Sequence, residues 1–590
     1  MSTSSRKALN LPEILFLIFA QLAPSVQDRG SDLPSNRRAL GRASRVCRTF
    51  SGPALKTLWR HIDNLVPLVR LLTCARLVKR DDIDSDNDEL YDSDDSEEEL
   101  DYTESTWVLV DDISHEDWER FTRYAAYVRV VNLDKHDRKS TIDPSVYSEI
   151  SRKNEGRPPL PHLKELRWKQ VAAGDETILT VIPSSLRRLC FQAKDHVSAT
   201  PSYRRSHRSL TGLGELHPRD CALRTLLNAV LTKGSDVEHL TLRGISNPMI
   251  FAPLSKCERL RALDIILSLH NPDVGIIQIM EAFTSISTLT TLKLVVRNWC
   301  ELEEHLRQLE QFETFQPLAR LREGKWAKTT STPAMRSSSL RNLTVDIRAA
   351  DADMAVLPSL LKTLPVPSLV AHLRSLRLRY GNLGWTPRRG FMLGGSQGLV
   401  SLYSFLAPLI PLQRLEQLYV LCKDTRFACT DENMKLLTRH WPKLTAFVVD
   451  FDSPRGASSY PSAHVLADIA KGWPMLRVLC LPSIGDLSTF PSLQSVCPHR
   501  SLRQLRLVSD VKLRHPNDAK NFAVYLAVQF PNLVSPFTDL GDDEPDTSDL
   551  CTEWLTIFAL VDQARSFIRT RYPTIYDILS GVAGTSGMAT

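Results

Sequence analysis

The sequence predicts an α/β chain. Its main body is a solenoid with parallel strands on the concave side and helices on the convex side, and a small all-α module of three helices precedes it. Three observations predict this. An apolar hexamer recurs eleven times between residues 163 and 507. Amphipathic helical segments lie between its copies. Ahead of them, within the first 72 residues, a Pro-led apolar helix is followed by further helical segments.

The N-terminal module spans residues 9–72. It opens with Leu11-Pro-Glu-Ile-Leu-Phe-Leu-Ile-Phe19. Pro12 suits a first helical turn, because its missing N–H has no helical partner there and its fixed φ matches the helix. Leu40-Gly-Arg-Ala-Ser-Arg-Val-Cys-Arg-Thr-Phe50 follows, then Leu58-Trp59. The order Leu-Pro-x-x-Leu-x-x-Ile-Phe, Val-Cys-Arg-x-Phe, Leu-Trp resembles an F-box, a docking module rather than a catalyst. The resemblance implies three helices packed against the Skp-type adaptor of a cullin ubiquitin ligase. It assigns Leu11, Pro12, Ile14, Leu15, Ile18 and Phe19 to the first contact helix, Val46, Cys47 and Phe50 to the second, and Leu58 and Trp59 to the third. Some of these residues must form the module's own core, and the sequence does not separate the two groups. The polar link at 25–36 is longer than that family usually has.

Residues 79–105 read as an acidic, disordered linker. Between 81 and 101 there are 13 acids in 21 positions and no base, so the remainder of a chain with net charge +5 carries +18. Such a run repels itself and buries little. Ser85 and Ser96 each have an acid three residues on, a pattern that suits an acidophilic kinase. The stretch could also fold back on a basic face of the same chain. Residues 106–160 form a transition, or N-terminal cap, in which Val128-Arg-Val-Val-Asn-Leu133 reads as an early strand.

The array covers 161–540. Its hexamers begin at Leu163, Leu186, Val237, Leu260, Leu289, Leu340, Leu373, Leu415, Leu444, Leu476 and Leu502, each reading close to Leu-x-x-Leu-x-Leu. Eleven copies in register identify a leucine-rich repeat array. The last two apolar residues of each copy alternate, as a strand with one buried face requires. Helical segments are predicted at 275–283, 301–312, 431–440, 463–471 and 518–529. Pro442, Pro474 and Pro531 end three of them and return the chain to the sheet. Copies are 23 to 51 residues apart, longer on average than the usual repeat of about 20–29. The two widest gaps hold basic, Ser/Thr-rich insertions near 200–211 and 324–339, expected as loops. Residues 550–580 read as two capping helices, and 581–590 as a flexible tail.

Positions flanking each buried pair are expected on the concave face. Arg167, Arg188, Arg243, Lys293, Arg377, Arg379 and Arg506 give that face a basic tilt, against Glu165, Asp264, Asp346 and Asp450. Arginine's planar fork suits carboxylate and phosphate, so the candidate target is an acidic or phosphorylated protein.

Arg6, Lys7, the apolar 14–20 and the small Ala20 and Ala23 outline a secretory signal. Pro12 and Glu13 interrupt it, and eleven unpaired-looking cysteines do not suggest a disulfide framework. The one glycosylation pattern, Asn342-Leu-Thr344, falls in a predicted strand. No run of about 18 apolar residues occurs. The expectation is a cytoplasmic or nuclear chain with no membrane partner. Gly394-Gly-Ser-Gln-Gly398 matches a nucleophile elbow but lacks a preceding strand, and Ser396 is expected to cap a helix instead. No phosphate loop, His-Glu-x-x-His or Cys-x-x-Cys occurs, so no cofactor, metal or catalytic residue is expected. A nucleic-acid role lacks a recognisable module or a basic stripe interleaved with aromatics.

The functional expectation is therefore the target-recognition subunit of a Skp–cullin–F-box ubiquitin ligase. The F-box would hold the adaptor and the array the protein to be degraded. The alternative is a repeat scaffold without a ligase link. The order of an F-box and irregular repeats resembles F-box families of mushroom-type fungi.

Overall fold

The computed structural model describes residues 11–23, 33–79, 105–133, 140–170, 174–193, 218–245, 248–269, 283, 286–298, 339–348, 361–362, 364, 367–381, 400–452, 460–485, 497–507, 516–534, 552–573 and 579–580. The acidic run at 81–101, the insertion at 200–211, most of that at 324–339, the helical segment at 301–312, the Gly-x-Ser-x-Gly motif and the tail lie outside these residues. The chain divides into two compact units, Met1–Leu263 and Asp264–Thr590.

The first unit opens with three helices, α1 (Pro12–Ala20), α2 (Leu33–Ala43) and α3 (Arg48–Arg60). Leu15, Phe19, Leu40 and Ala54 form their core, with Leu22, Ala43, Phe50 and Leu58 packed on it. Helix α3 runs without a linker into strand β1 (His61–Ile62). After α4 (Val66–Val69) come β2 (Ala75–Lys79) and β3 (Ser105–Leu109), then α5 (His115–Ala125) and β4 (Val130–Asn132). Then follow β5 (Ser140–Ile142), α6 (Pro144–Lys153), β6 (Glu165–Gln170), α7 (Thr177–Val181), β7 (Arg188–Ala193), α8 (Pro218–Lys233) and β8 (His239–Ile245).

Strands β1, β4, β6, β7 and β8 form a parallel ladder in that order. The early strand expected at 128–133 is its second rung. The ladder is in hexamer register: Leu166 faces Leu189, which faces Leu240, and Trp168 faces Phe191, which faces Leu242. A one-residue slip would turn every one of these to the other face. Each fully buried Leu stabilises the fold by about 1.5–3 kcal/mol.

A second sheet was not legible in the sequence. β2 pairs antiparallel with β3 (Ala75 with Leu109, Lys79 with Ser105), and β3 pairs parallel with β5. Both ends of the stretch read as a linker at 79–105 are thus strand residues. Asp117 on α5 ties this region together. Its carboxylate is buried and accepts from Thr73 N–H at 3.1 Å and Thr73 Oγ1 at 2.6 Å. Those bonds hold its pKa below the usual carboxylate range.

The second unit is also a parallel ladder. Its strands include β9 (Ala262–Leu269), which starts at the last residues of the first unit, β10 (Thr291–Asn298), β11 (Asn342–Arg348), β12 (Ser375–Tyr380), and β13 (Val400–Ser401). They continue with β14 (Gln417–Ala428), β15 (Ala446–Asp452), β16 (Val478–Leu481) and β17 (Gln504–Leu507). From β10 the order is β10-β11-β12-β14-β15-β16-β17, with β13 beside β14. Leu292, Leu343, Leu376, Leu418, Phe447, Leu479 and Leu505 align across it, all buried. Parallel strands joined through helices make both units α/β.

The described helices here are α9 (Pro367–His372), α10 (Leu402–Leu406), α11 (Asp431–Leu437), α12 (Val465–Gly472), α13 (Pro516–Gln529) and α14 (Thr552–Arg571). Thr430 caps α11 by accepting from Asn433 N–H at 3.3 Å. Ser401 caps α10, accepting from Ser404 N–H at 3.4 Å. After α11 and α12 the chain turns inward at Trp441 and Trp473, each followed by Pro and fully buried. Their indoles donate to carbonyls one repeat earlier: Trp441 to Leu409 at 3.4 Å and Trp473 to His440 at 2.9 Å. Trp441 adopts φ 54°, a left-handed backbone that its packing overrides. At the C-terminal end Trp554, Ile557, Phe558 and Val561 of α14 are buried, and Trp554 packs 6.3 Å from Phe522 of α13. Leu579 and Ser580 are helical again.

Candidate functional site

The structure separates the two groups that the sequence left mixed in the N-terminal module. Leu15 and Phe19 are core residues of the module, with Phe50 and Leu58 packed against them; Phe19 and Phe50 meet edge-to-face at 5.7 Å. Exposed instead are Leu11 at 49%, Ile18 at 46% and Val46 at 67%, together with Pro12 and Cys47, and Ile14 is half-buried. Val46 and Cys47 do not belong to the second helix. Val46 lies in the turn after α2, Cys47 is the N-cap of α3, and Phe50 is on α3 with Leu58 and Trp59. The backbone at Cys47 is extended (φ −160°, ψ 167°), which separates α2 from α3 and makes Cys47 the start of a new helix. Trp59 is turned to the unit's own interior, where it packs on Tyr124 of α5 at 4.8 Å.

Leu17, 66% exposed, was not singled out by the motif. Helical periodicity could have found it. Leu11, Ile14, Leu17 and Ile18 are spaced by three or four residues and share one face of α1, opposite to the side carrying Phe19. Four large aliphatic residues on one short helix, only one of them half-covered, make a surface suited to a partner.

The candidate target-binding residues fall into two groups. In the first unit, Arg167 and Arg188 both reach Glu165, at 3.5 and 3.7 Å, and Arg243 stands beside Gln192 in the ladder. In the second unit one row across the sheet reads Lys293, Thr344, Arg377, Tyr419, Val448, Cys480, Arg506. The guanidinium of Arg377 lies over the Tyr419 ring, 4.6 Å from its centroid. Arg379 stands between Asp346 and Leu421 in the next row. The structure brings Arg377 and Arg379 together on β12, while Tyr419, Val448 and Cys480 separate them from Arg506. Asp346, Asp450, Val448 and Cys480 are buried. Burial, with the charge of Asp450 beside it, pushes the Cys480 and Cys422 thiols up to about 12. This face is a mixed surface rather than a continuous basic one.

Among the described residues no group of three or more His, Cys, Asp or Glu could hold a metal ion, and no helix is long and apolar enough to cross a membrane. No protein-family model matches the chain, and no curated protein matches it with significant similarity.

Proposed function

We propose that this protein is the non-catalytic target-recognition subunit of a Skp–cullin–F-box ubiquitin ligase. The helical module docks the Skp-type adaptor and the leucine-rich repeats hold the protein to be modified. The observation that carries this reading is the apolar face of α1. Leu11, Leu17 and Ile18 are exposed while Leu15 and Phe19, one step round the same helix, fill the core. A helix that is apolar on both faces gains stability from a partner on the second one. The mechanism is effective concentration: holding target and ligase on one chain makes ubiquitin transfer by the other subunits nearly intramolecular.

The test is capture of a purified Skp-type adaptor by the full chain and by Leu17→Asp and Ile18→Asp variants. Each of these residues is solvent-exposed, so the fold should persist. Loss of capture by about thirtyfold, equivalent to about 2 kcal/mol at a central contact, supports docking through this face. Absence of capture by the folded native chain overturns the ligase reading.

A second reading has its own observation. Helix α3 passes straight into β1, which pairs with β4. The helical module would then serve as the cap of a repeat scaffold with no ligase link, covering the end of the ladder. A native chain that folds but captures no adaptor favours it.

A further inference from the structure

Positive charge also collects on the N-terminal edge of the strands, away from the face the sequence singled out. The second residue of the hexamer is Lys or Arg in seven of eleven copies, against one of eleven for the third residue. In the first unit these second positions are stacked by the backbone. Arg129 N–H donates to Arg60 O at 2.9 Å, Lys164 to Arg129 at 2.8 Å and Arg187 to Lys164 at 2.9 Å. Glu238 then donates to Arg187 at 2.9 Å and Arg261 to Glu238 at 2.8 Å. The edge therefore reads Arg60, Arg129, Lys164, Arg187, Glu238, Arg261, with neighbours about 4.8 Å apart.

The two halves of this row differ. Arg187 is answered from within, by Glu238 at 3.0 Å and Asp236 at 3.7 Å. Arg60 and Lys164 are exposed, and among the described residues no carboxylate pairs with Arg60, Arg129 or Lys164. Arg129 uses one guanidinium nitrogen on the carbonyls of Ala126, the C-cap of α5, and Val128, at 2.7 and 3.0 Å, so carbonyl dipoles and no carboxylate face its charge. Burial and the charge of Arg60 hold its pKa below the usual arginine value. Three adjacent rungs thus keep like charges together, an arrangement that costs stability until an anion lies across it.

We propose that Arg60, Arg129 and Lys164 form a binding edge for an acidic peptide segment of a partner protein. Carboxylate or phosphate side chains would seat on the two guanidinium groups and the ammonium. The three rungs span about 10 Å, the reach of three or four residues of extended chain. They offer too few cations for a nucleic-acid backbone, which typically engages about 6–10 phosphates, and Glu238 would repel a longer polyanion. The inference deepens the target-capture half of the proposed function and rests on it. The adaptor half is tested at Leu17 and Ile18, so the two can fail separately.

The experiment measures fluorescence anisotropy of a labelled short peptide of alternating Glu and Ser, and of its phosphoserine form, with the full chain. Saturable binding is expected. The Arg60→Gln, Lys164→Gln pair should weaken it about tenfold or more, and the charge-keeping Arg60→Lys, Lys164→Arg pair should restore most of it. Lys435→Gln, Arg439→Gln, at the exposed end of α11 and the turn after it, should leave it unchanged. Comparing the two peptides distinguishes carboxylate from phosphate as the preferred group. Absence of binding, or unchanged affinity in the Gln pair, overturns the proposal. So does tighter binding of a single-stranded RNA of equal length. Binding that develops only after deletion of residues 80–104 overturns it too, because the occupant would then be the chain's own acidic stretch.

Discussion

Trp59 and Tyr124 stack with ring centroids 4.8 Å apart and planes inclined by 33°. The contact joins the last turn of α3 to α5, and Arg60, the next residue, takes part in the backbone ladder through Arg129. The helical module is therefore fixed to the repeats it precedes, and a residue that the sequence resemblance assigned to a partner has a structural task within the chain.

Trp59→Ala should accordingly destabilise the first unit by about 1–3 kcal/mol, from a half-buried aromatic and its ring partner. Trp59→Phe should recover most of this. Urea unfolding followed by circular dichroism checks it. A variant as stable as the native chain would show that the stacking contributes nothing.

Gly472 and Gly41 should respond oppositely to alanine. A Cβ on Gly472, at the end of α12, would sit 2.5 Å from both Cβ and the carbonyl oxygen of Thr438. Part of that obstacle is backbone, so Gly472→Ala should cost about 1–3 kcal/mol. Beyond its chain neighbours nothing lies within 4 Å of a Cβ on Gly41, in the last turn of α2, and Gly41→Ala should stabilise the helix by about 0.5–1 kcal/mol. Thermal unfolding of the two variants gives both signs in one series.

Acid should weaken the C-terminal repeats through His499. This side chain is buried, with Nε2 at 2.9 Å from the Trp473 carbonyl and Nδ1 accepting from Leu502 N–H at 3.2 Å. Those partners fit the neutral ring with its proton on Nε2, and burial holds the pKa below the ordinary histidine value. The unfolded chain takes up the proton near pH 6.5 and the folded chain resists it, so stability is full above about pH 6.5 and falls as pH drops below it. The denaturation midpoint should decline between about pH 7.5 and 5.5. The decline should be smaller in His499→Gln. An identical decline in that variant would assign the effect to other groups.

The thiols should divide by burial. Cys422, Cys429 and Cys480 are buried, each pushed up to about 12 by burial first and then by the neighbouring carboxylate of Asp450 or Asp431. Cys47, Cys221 and Cys497 are exposed. Alkylation of the native chain at mildly alkaline pH should modify the exposed three first, because the thiolate is the reactive form. Peptide mass mapping reads the order.

The repeat register was legible because one physical rule acts eleven times. The first, fourth and sixth residues of every hexamer are buried, and no local feature competes with that pattern. The sheet of β2, β3 and β5 was not legible. Its strands are short, and β2 and β3 flank the acidic run, so no periodic window reveals that Ala75 faces Leu109. The candidate docking face was half legible. The motif marks α1, but a helix apolar all round gives no sign of which side is covered. Only the packing of α1 against α3 decided that Leu15 and Phe19 face in and Leu17 and Ile18 face out.

By itself the sequence determined the α/β class, the parallel strands and their register, because alternating burial within each hexamer leaves a strand one usable face. Tertiary structure alone decided what the charged residues could do. Register set Arg377 over Tyr419 and Arg379 beside Asp346, while backbone bonds between rungs stacked Arg60, Arg129 and Lys164, residues up to 104 positions apart in the chain. Hydrophobic burial is read from local spacing; electrostatics depends on which distant residues become neighbours.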